Sequence, residues 1–172
     1  IKTNVLRNVD KSMNSFIQKN MSELPSLFWE AFSSRMIIDI FKFYKNYSDN
    51  RKSIEVNFLN YENNEYSAIV VICKNRSGIL KDIVQGLSFS QINILGSRVI
   101  SLNNNDVIDV FWVCNSAQKA LKEKNEQNRL VQNLIASVEG LEIEVVSDLL
   151  NIKSKLEVLP KITVDNKMSK NV

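Results

Sequence analysis

Histidine is absent from this sequence. That one absence removes catalytic triads built on imidazole, histidine-ligated metal centres and the commonest general base. Glycine is scarce, with four residues in 172, at positions 78, 86, 96 and 140. Neither a G-x-G-x-x-G dinucleotide loop nor a P-loop can be assembled from them. Two cysteines, Cys73 and Cys114, make no disulfide framework and lack metal-type spacing. Free thiols fit a reducing compartment, so a cytoplasmic protein is expected. No apolar run approaches the roughly 18 residues needed to span a bilayer. No secretory pattern opens the chain, and no membrane partner is expected.

What remains is ordinary globular material. The hydrophobic fraction is 44% and the charged fraction 24%, enough for one domain with a real core plus extensions. A net charge of +3 is too weak to argue for nucleic acid without a clustered patch. Lys42, Lys45, Arg51 and Lys52 interleave with Phe43, Tyr44 and Tyr47, but the strands lack the aromatic pattern of RNA-binding sheets, and a solvated segment is the plainer reading. No nucleic-acid partner is expected. The chain opens on Ile1 and stops at Val172 inside a pattern, which suggests a piece of a longer protein.

Residues 1–50 read as helical. Val5, Leu6, Val9, Met13, Phe16 and Ile17 repeat at helical spacing, Pro25 punctuates, and a second stripe runs from Leu27 to Tyr44 before the polar run Lys42 to Asn50 ends it. The period changes to two at Ile54, Val56 and Phe58, which alternate with Glu55 and Asn57 as in a half-exposed strand. Residues 60–65 read as a turn. Ser67 to Cys73 is β-branched and suits a strand buried on both faces. After the loop at 74–78, Ile79, Leu80, Ile83, Val84 and Leu87 share a helix face. Strands are expected over Ile92–Leu102 and Val107–Cys114, joined by the tight turn Asn103-Asn104-Asn105-Asp106. A last helix carries Leu130, Val131, Leu134, Ile135 and Val138 and ends at Gly140, with a fourth strand over Leu141–Val146.

The order from Ser67 is therefore β-α-β-β-α-β. The expected class is α+β, a ferredoxin-like domain preceded by N-terminal helices and an extra strand. The divisions are a helical connector at 1–50, the domain at 53–150, and a linker at 151–172 that opens a second, truncated copy.

At this point the residues resemble a known family. CKNRSGILKDIVQGLSFSQINILGSRVISLNNNDVIDVFWV, residues 73–113, is similar to the first ACT domain of the bifunctional [protein-PII] uridylyltransferase/uridylyl-removing enzymes. Gly78, Ile79 and Leu80 match the glycine and apolar pair of that family's DHPGLF element. Asn93-Ile94 matches its Asn-Ile, and Asp109, Phe111, Trp112 and Val113 match its LDTFWV. Leu24-Pro25 with Phe28-Trp29 is similar to LPxxYW, and VLPKITVDNKMS at 158–169 to VxPRVxIDNxAS, which leads into a second ACT domain. One departure is clear: Asn75-Arg76-Ser77 stands where the family has Asp-His-Pro.

The resemblance implies the end of a hydrolase region's helices followed by a regulatory domain. The family's catalytic centres, and the magnesium they use, lie toward the N-terminus of the parent enzyme. No catalytic residue and no cofactor is expected in this stretch. The implied function is sensing of glutamine, biasing UMP transfer to PII against its removal. The implied partners are glutamine or another amino acid, a second ACT domain in the same chain, and PII through the full enzyme. The alternatives are a non-liganding ACT interaction module and an amino-acid-binding domain of another enzyme.

The expected ligand site is Asn75, Arg76, Ser77, Gly78, Ile79 and Leu80, joined by Asn93 and Ile94. The first turn of a helix leaves unpaired N–H groups and a partial positive charge. The amides of Gly78, Ile79 and Leu80 are suited to a carboxylate, with Asn93 suited to the ligand's amino or amide group. The competing reading has Ser77 cap the helix and Gly78 merely ease the turn. Asp109 is read as facing solvent or a subunit edge, or as a buried partner for an amine or Arg98. Phe111 and Trp112 fall on opposite faces. Cys73 and Cys114 are read as buried apolar residues before a redox pair.

Overall fold

In a computed structural model, which describes residues 1–59 and 65–141, the N-terminal fifty residues form four helices instead of two: α1 (Lys2–Arg7), α2 (Lys11–Asn20), α3 (Ser26–Ala31) and α4 (Ser34–Asp49). The first apolar stripe is cut at Asp10, whose extended backbone and carboxylate cap α2 by accepting from the Met13 amide at 2.8 Å. Ser33 caps α4 in the same way, from the Met36 amide at 3.3 Å. The polar run expected to end this helix does not end it. Tyr44 and Tyr47 carry its buried face onward, while Lys42–Asp39 and Lys45–Asp49 pair along the solvent side.

The second half is an antiparallel four-stranded sheet with two further helices. The strands are β1 (Ile54–Leu59), β2 (Ser67–Lys74), β3 (Asn93–Ser101) and β4 (Asp106–Cys114), in the order β1-β2-β4-β3. Helix α5 (Ile79–Phe89) links β2 to β3, and α6 (Lys124–Glu139) follows β4. The class is α+β. Gly140, at φ +70°, closes α6 as its position predicted. The turn expected over 60–65 falls almost wholly outside the described residues. So do the strand expected over Leu141–Val146, beyond Leu141 itself, and the second-domain motif at 158–169.

Both faces of the sheet are covered. Ile69, Val71 and Cys73 of β2 point into an aliphatic core with Ile83 and Leu87 of α5 and Leu130 and Leu134 of α6. The alternate residues Ala68, Val70 and Ile72 point into an aromatic core with Phe28, Trp29, Phe41 and Tyr44 from the N-terminal helices. Each fully buried Ile or Leu contributes roughly 1.5–3 kcal/mol, so the N-terminal helices are bound to the sheet by a common core. They also change β1. Its polar face was expected in water, but α4 covers it, and Glu55 is buried with Lys52, Asn46 and Asn57 as partners. Burial alone would raise the Glu55 pKa, but those three partners together hold it below the ordinary carboxylate value.

One glycine has a packing role that its sequence context did not announce. A Cβ on Gly86 would stand 3.0 Å from the Asn133 carbonyl oxygen and from Leu134 Cα. Glycine there lets α5 and α6 meet backbone to backbone. Ser137 Oγ adds a 2.6 Å bond to the Asp82 carbonyl.

Candidate functional site

The loop from β2 to α5 is an open corner. Gly78 is the N-cap of α5 at φ +83°, a left-handed conformation that non-glycine residues rarely adopt. No side chain caps the helix, so Ser77 does not take the capping role considered for it. A Cβ on Gly78 would meet nothing within 4 Å; backbone conformation, not space, asks for glycine here. The Ile79 amide turns back to the Arg76 carbonyl at 3.1 Å, and the Asp82 amide reaches the Gly78 carbonyl at 3.0 Å. Among the described residues the intervening Leu80 and Lys81 amides have no backbone partner. Leu80, expected on the buried face, is 42% exposed at the rim.

Arg76, the residue that departs most from the family pattern, is used internally. Its guanidinium pairs with Asp82 at 2.6 Å and donates to the Val138 carbonyl at 2.7 Å. It bridges the first turn of α5 to the last turn of α6, where a cation also meets the negative end of the helix dipole. Asn75 is fixed by its backbone: its amide donates to the Asn105 carbonyl at 2.8 Å, and Asn105 Nδ2 donates back to the Asn75 carbonyl at 3.1 Å.

Asn93 and Ile94 do not join this corner. β3 begins after α5 ends, and Asn93 pairs with Cys114 while the corner sits beside the Lys74–Asp106 pair at the other end of the sheet. Eleven helical residues, about 16 Å, separate them. Asn93 Nδ2 donates to the Asn115 carbonyl at 3.3 Å. Asn93 and Ile94 line a different cleft of about 550 Å³ with Val84, Ser88, Gln91 and Ser116. The expected site is thus two places within one chain.

The turn at 103–106 carries more than hairpin geometry. Asn105 is left-handed at φ +66°, as the turn demands. Asn103 binds the segment between α2 and α3, through its amide to the Glu23 carbonyl at 3.0 Å and its side chain to the Ser22 carbonyl at 2.9 Å. Asn104 Nδ2 donates to the Tyr44 hydroxyl at 2.7 Å. Asp106, 4% exposed, accepts from Tyr44 at 2.9 Å, Tyr47 at 3.4 Å and Lys74 at 2.7 Å. Burial, aided by Asp106, pushes the Tyr44 hydroxyl up to about 12 and Tyr47 upward as well. The aromatic residues of the basic segment are therefore turned inward, onto a carboxylate. This cluster was not predicted. Tyr44 and Tyr47, three apart on a helix, and a lone Asp at a turn were its only sequence signs.

Asp109 overturns the solvent-facing reading. It is 1% exposed, and among the described residues neither carboxylate oxygen has a hydrogen-bond partner of normal geometry, the Ile100 amide offering only a weak contact. Burial raises its pKa from 3.8 to about 7, with the Ile100 amide pulling the other way. Arg98 is not its partner: Arg98 stands opposite Val110 and Asp109 opposite Val99, on different faces of the sheet. Phe111 and Trp112 divide between the two cores as predicted. Cys73 pairs with Val107 while Cys114 pairs with Asn93, so the two buried thiols stand at opposite ends of β4. Among the described residues no group of side chains could hold a metal ion, and no helix is long and apolar enough to cross a membrane.

No family model, curated protein or solved structure matches this chain.

Proposed function

We propose that the chain is a regulatory, non-catalytic piece of a [protein-PII] uridylyltransferase/uridylyl-removing enzyme, with residues 53–141 forming an ACT-like domain that responds to glutamine or a related amino acid. The observation that carries this reading is the corner at Gly78. It combines a left-handed glycine, open space above the backbone and unpartnered amides at a helix N-terminus, a combination suited to an amino acid's carboxylate. The strand order β2-β4-β3 with α5 and α6 on one face is compatible with the ferredoxin-like plan. One feature departs from the plain form of that plan: β1 and β4 flank β2 on both sides and leave it no free edge.

In this reading the site is completed by a second ACT domain. A two-fold antiparallel approach along the β3 edge would carry Asn93 of one copy toward the Gly78 corner of the other. That arrangement reunites the two halves that 16 Å of α5, roughly, keep apart in one copy. Glutamine shifts the parent's activities only through unequal affinity for two arrangements of the domains.

A second reading has an observation of its own. The Arg76 guanidinium is engaged by Asp82 and the Val138 carbonyl rather than held free for a ligand. A module that joins domains and binds no ligand would look the same. Calorimetry and thermal denaturation with glutamine and a panel of amino acids, on this chain continued through the second domain, separate the two. A ligand at 100 times its dissociation constant stabilises by about 2.7 kcal/mol. No heat and no shift with any amino acid at millimolar concentration leaves the non-liganding module. A shift that survives Gly78→Val removes the corner as the site.

A further inference from the structure

The other unexplained group is Asp109, and its neighbours make its state consequential. It lies mid-strand on the aliphatic face. Val71 of β2 and Val99 of β3 stand directly across from it, and Val107 and Phe111 are its same-face neighbours on β4. From α5 and α6 the core receives Ile79, Ile83, Leu87, Leu130, Leu134 and Val138, while the buried Ser90 at the end of α5 and Asn133 of α6 bond each other. β1 contributes Ile54 to that core. The titratable neighbour is Cys73 of β2, which burial, with Asp109 adding to it, pushes up to about 12, so it stays neutral. Asp106 and Arg98 belong to the opposite face by register. An ionised carboxylate in this place has neither a counter-charge nor a donor side chain to offset its lost hydration.

The strands on either side of Asp109 differ in how firmly they are held. Among the described residues β2 has partners on both edges, whereas β3 is an edge strand and is paired to β4 alone. Its register is interrupted between Ile94 and Gly96, and Val99 is 46% exposed. Separation of β3 from β4 is therefore the shortest route for water to the carboxylate.

We propose that Asp109 makes the β3 edge proton-sensitive: while the carboxyl is neutral β3 stays closed on β4, and ionisation drives this strand to open. Opening frees the β4 backbone edge, beside Ile94, Leu95 and Val99, which are exposed already, so strand pairing to β4 becomes easier as the proton leaves. In an open edge the group returns to an ordinary carboxylate, so the opening equilibrium responds over the interval from about pH 4 to about pH 7 and is level above it.

Amide hydrogen exchange on the full 172-residue chain tests this between pH 4.5 and pH 8, with each rate divided by its intrinsic value. The β3–β4 amides around Val99, Ile100 and Ile108 are expected to open about fiftyfold more at pH 7 than at pH 5. At each pH they should also open at lower free energy than the amides of the β1–β2 ladder and α4, whose slower exchange through global unfolding shares the pH dependence, and Asp109→Asn should abolish the rise. A flat profile in the parent chain overturns the proposal. So do equal opening free energies in the β3–β4 and β1–β2 ladders, or a rise that persists in Asp109→Asn. The Asp109 carboxyl carbon shift, read by NMR in the unaltered chain, decides the matter if the variant does not fold. A midpoint near the ordinary 3.8 refutes the idea, and one near 7 supports it.

Discussion

Two aspartates three residues apart on β4 have opposite fates. Asp106 and Asp109 are 4% and 1% exposed, and an odd spacing on a strand sends them to opposite faces. Asp106 faces the aromatic layer, where two tyrosines of α4 and Lys74 of β2 satisfy it. Asp109 faces the aliphatic layer, where nothing does. Burial alone therefore says little about whether an acid holds a fold together. What matters is whether the layer packed over it brings donors. The aromatic layer brings hydroxyls because tyrosine is an apolar ring with a polar tip. The layer made by α5 and α6 turns aliphatic side chains toward the sheet and spends its own polar groups between the two helices.

The largest expected effect breaks the contrast from the Asp109 side. Asp109 has its pKa raised above the unfolded value, so the native state holds the proton more tightly than the unfolded chain does. Its contribution is most favourable below about pH 4, declines as pH rises, and is fully lost above about pH 7. The displacement from 3.8 to about 7 corresponds to on the order of 4 kcal/mol. Asp109→Asn should therefore raise stability at pH 7.5 by up to about that amount, with the advantage disappearing toward pH 4. Urea unfolding at the two pH values checks this, and an advantage that does not depend on pH would contradict it. Glu55 works in the opposite sense, because its lowered pKa gives stability that is lost as pH falls. The comparison must accordingly be made between variant and parent at each pH.

Asp106→Ala comes next. It removes the acceptor of the Tyr44 and Tyr47 O–H groups and should cost about 2–4 kcal/mol at pH 7.5. An unchanged unfolding midpoint would mean that the tyrosines find water instead. Lys74→Ala is the smallest effect, within about 0.5 kcal/mol, because the Lys74 side chain is 65% exposed and its ion pair is screened. A loss as large as that of Asp106→Ala would show that the lysine, not the tyrosines, holds the carboxylate.

The strand and helix order from Ser67 to Gly140 was legible because the helices carry a period near four and the strands are short β-branched apolar runs between turn residues. It was also legible because the breaks fall at residues with a mechanism: Gly78, the Asn103–Asp106 turn and Gly140. Errors gathered where the partner of a segment is remote in sequence. Glu55 looked solvent-facing because nothing in IEVNF announces that α4 will lie across it. Asp109 looked exposed for the same reason. At the corner, Gly78 was identified from its local pattern. The Arg76 bridge to Val138, and the placement of Asn93 about 16 Å away along α5, depend on how α5 lies between the corner and β3.

The sequence by itself determined the absence of histidine chemistry, the α+β class and the breaks at Gly78, at 103–106 and at Gly140, because composition and local periodicity act over a few residues. Tertiary structure alone decided that residues 1–50 cover the second face of the sheet. It alone decided that Asp106 is partnered while Asp109 is not, and that the Gly78 corner and Asn93 stand at opposite ends of α5. Those outcomes depend on which surfaces meet across the sheet, and residues distant in the chain set that.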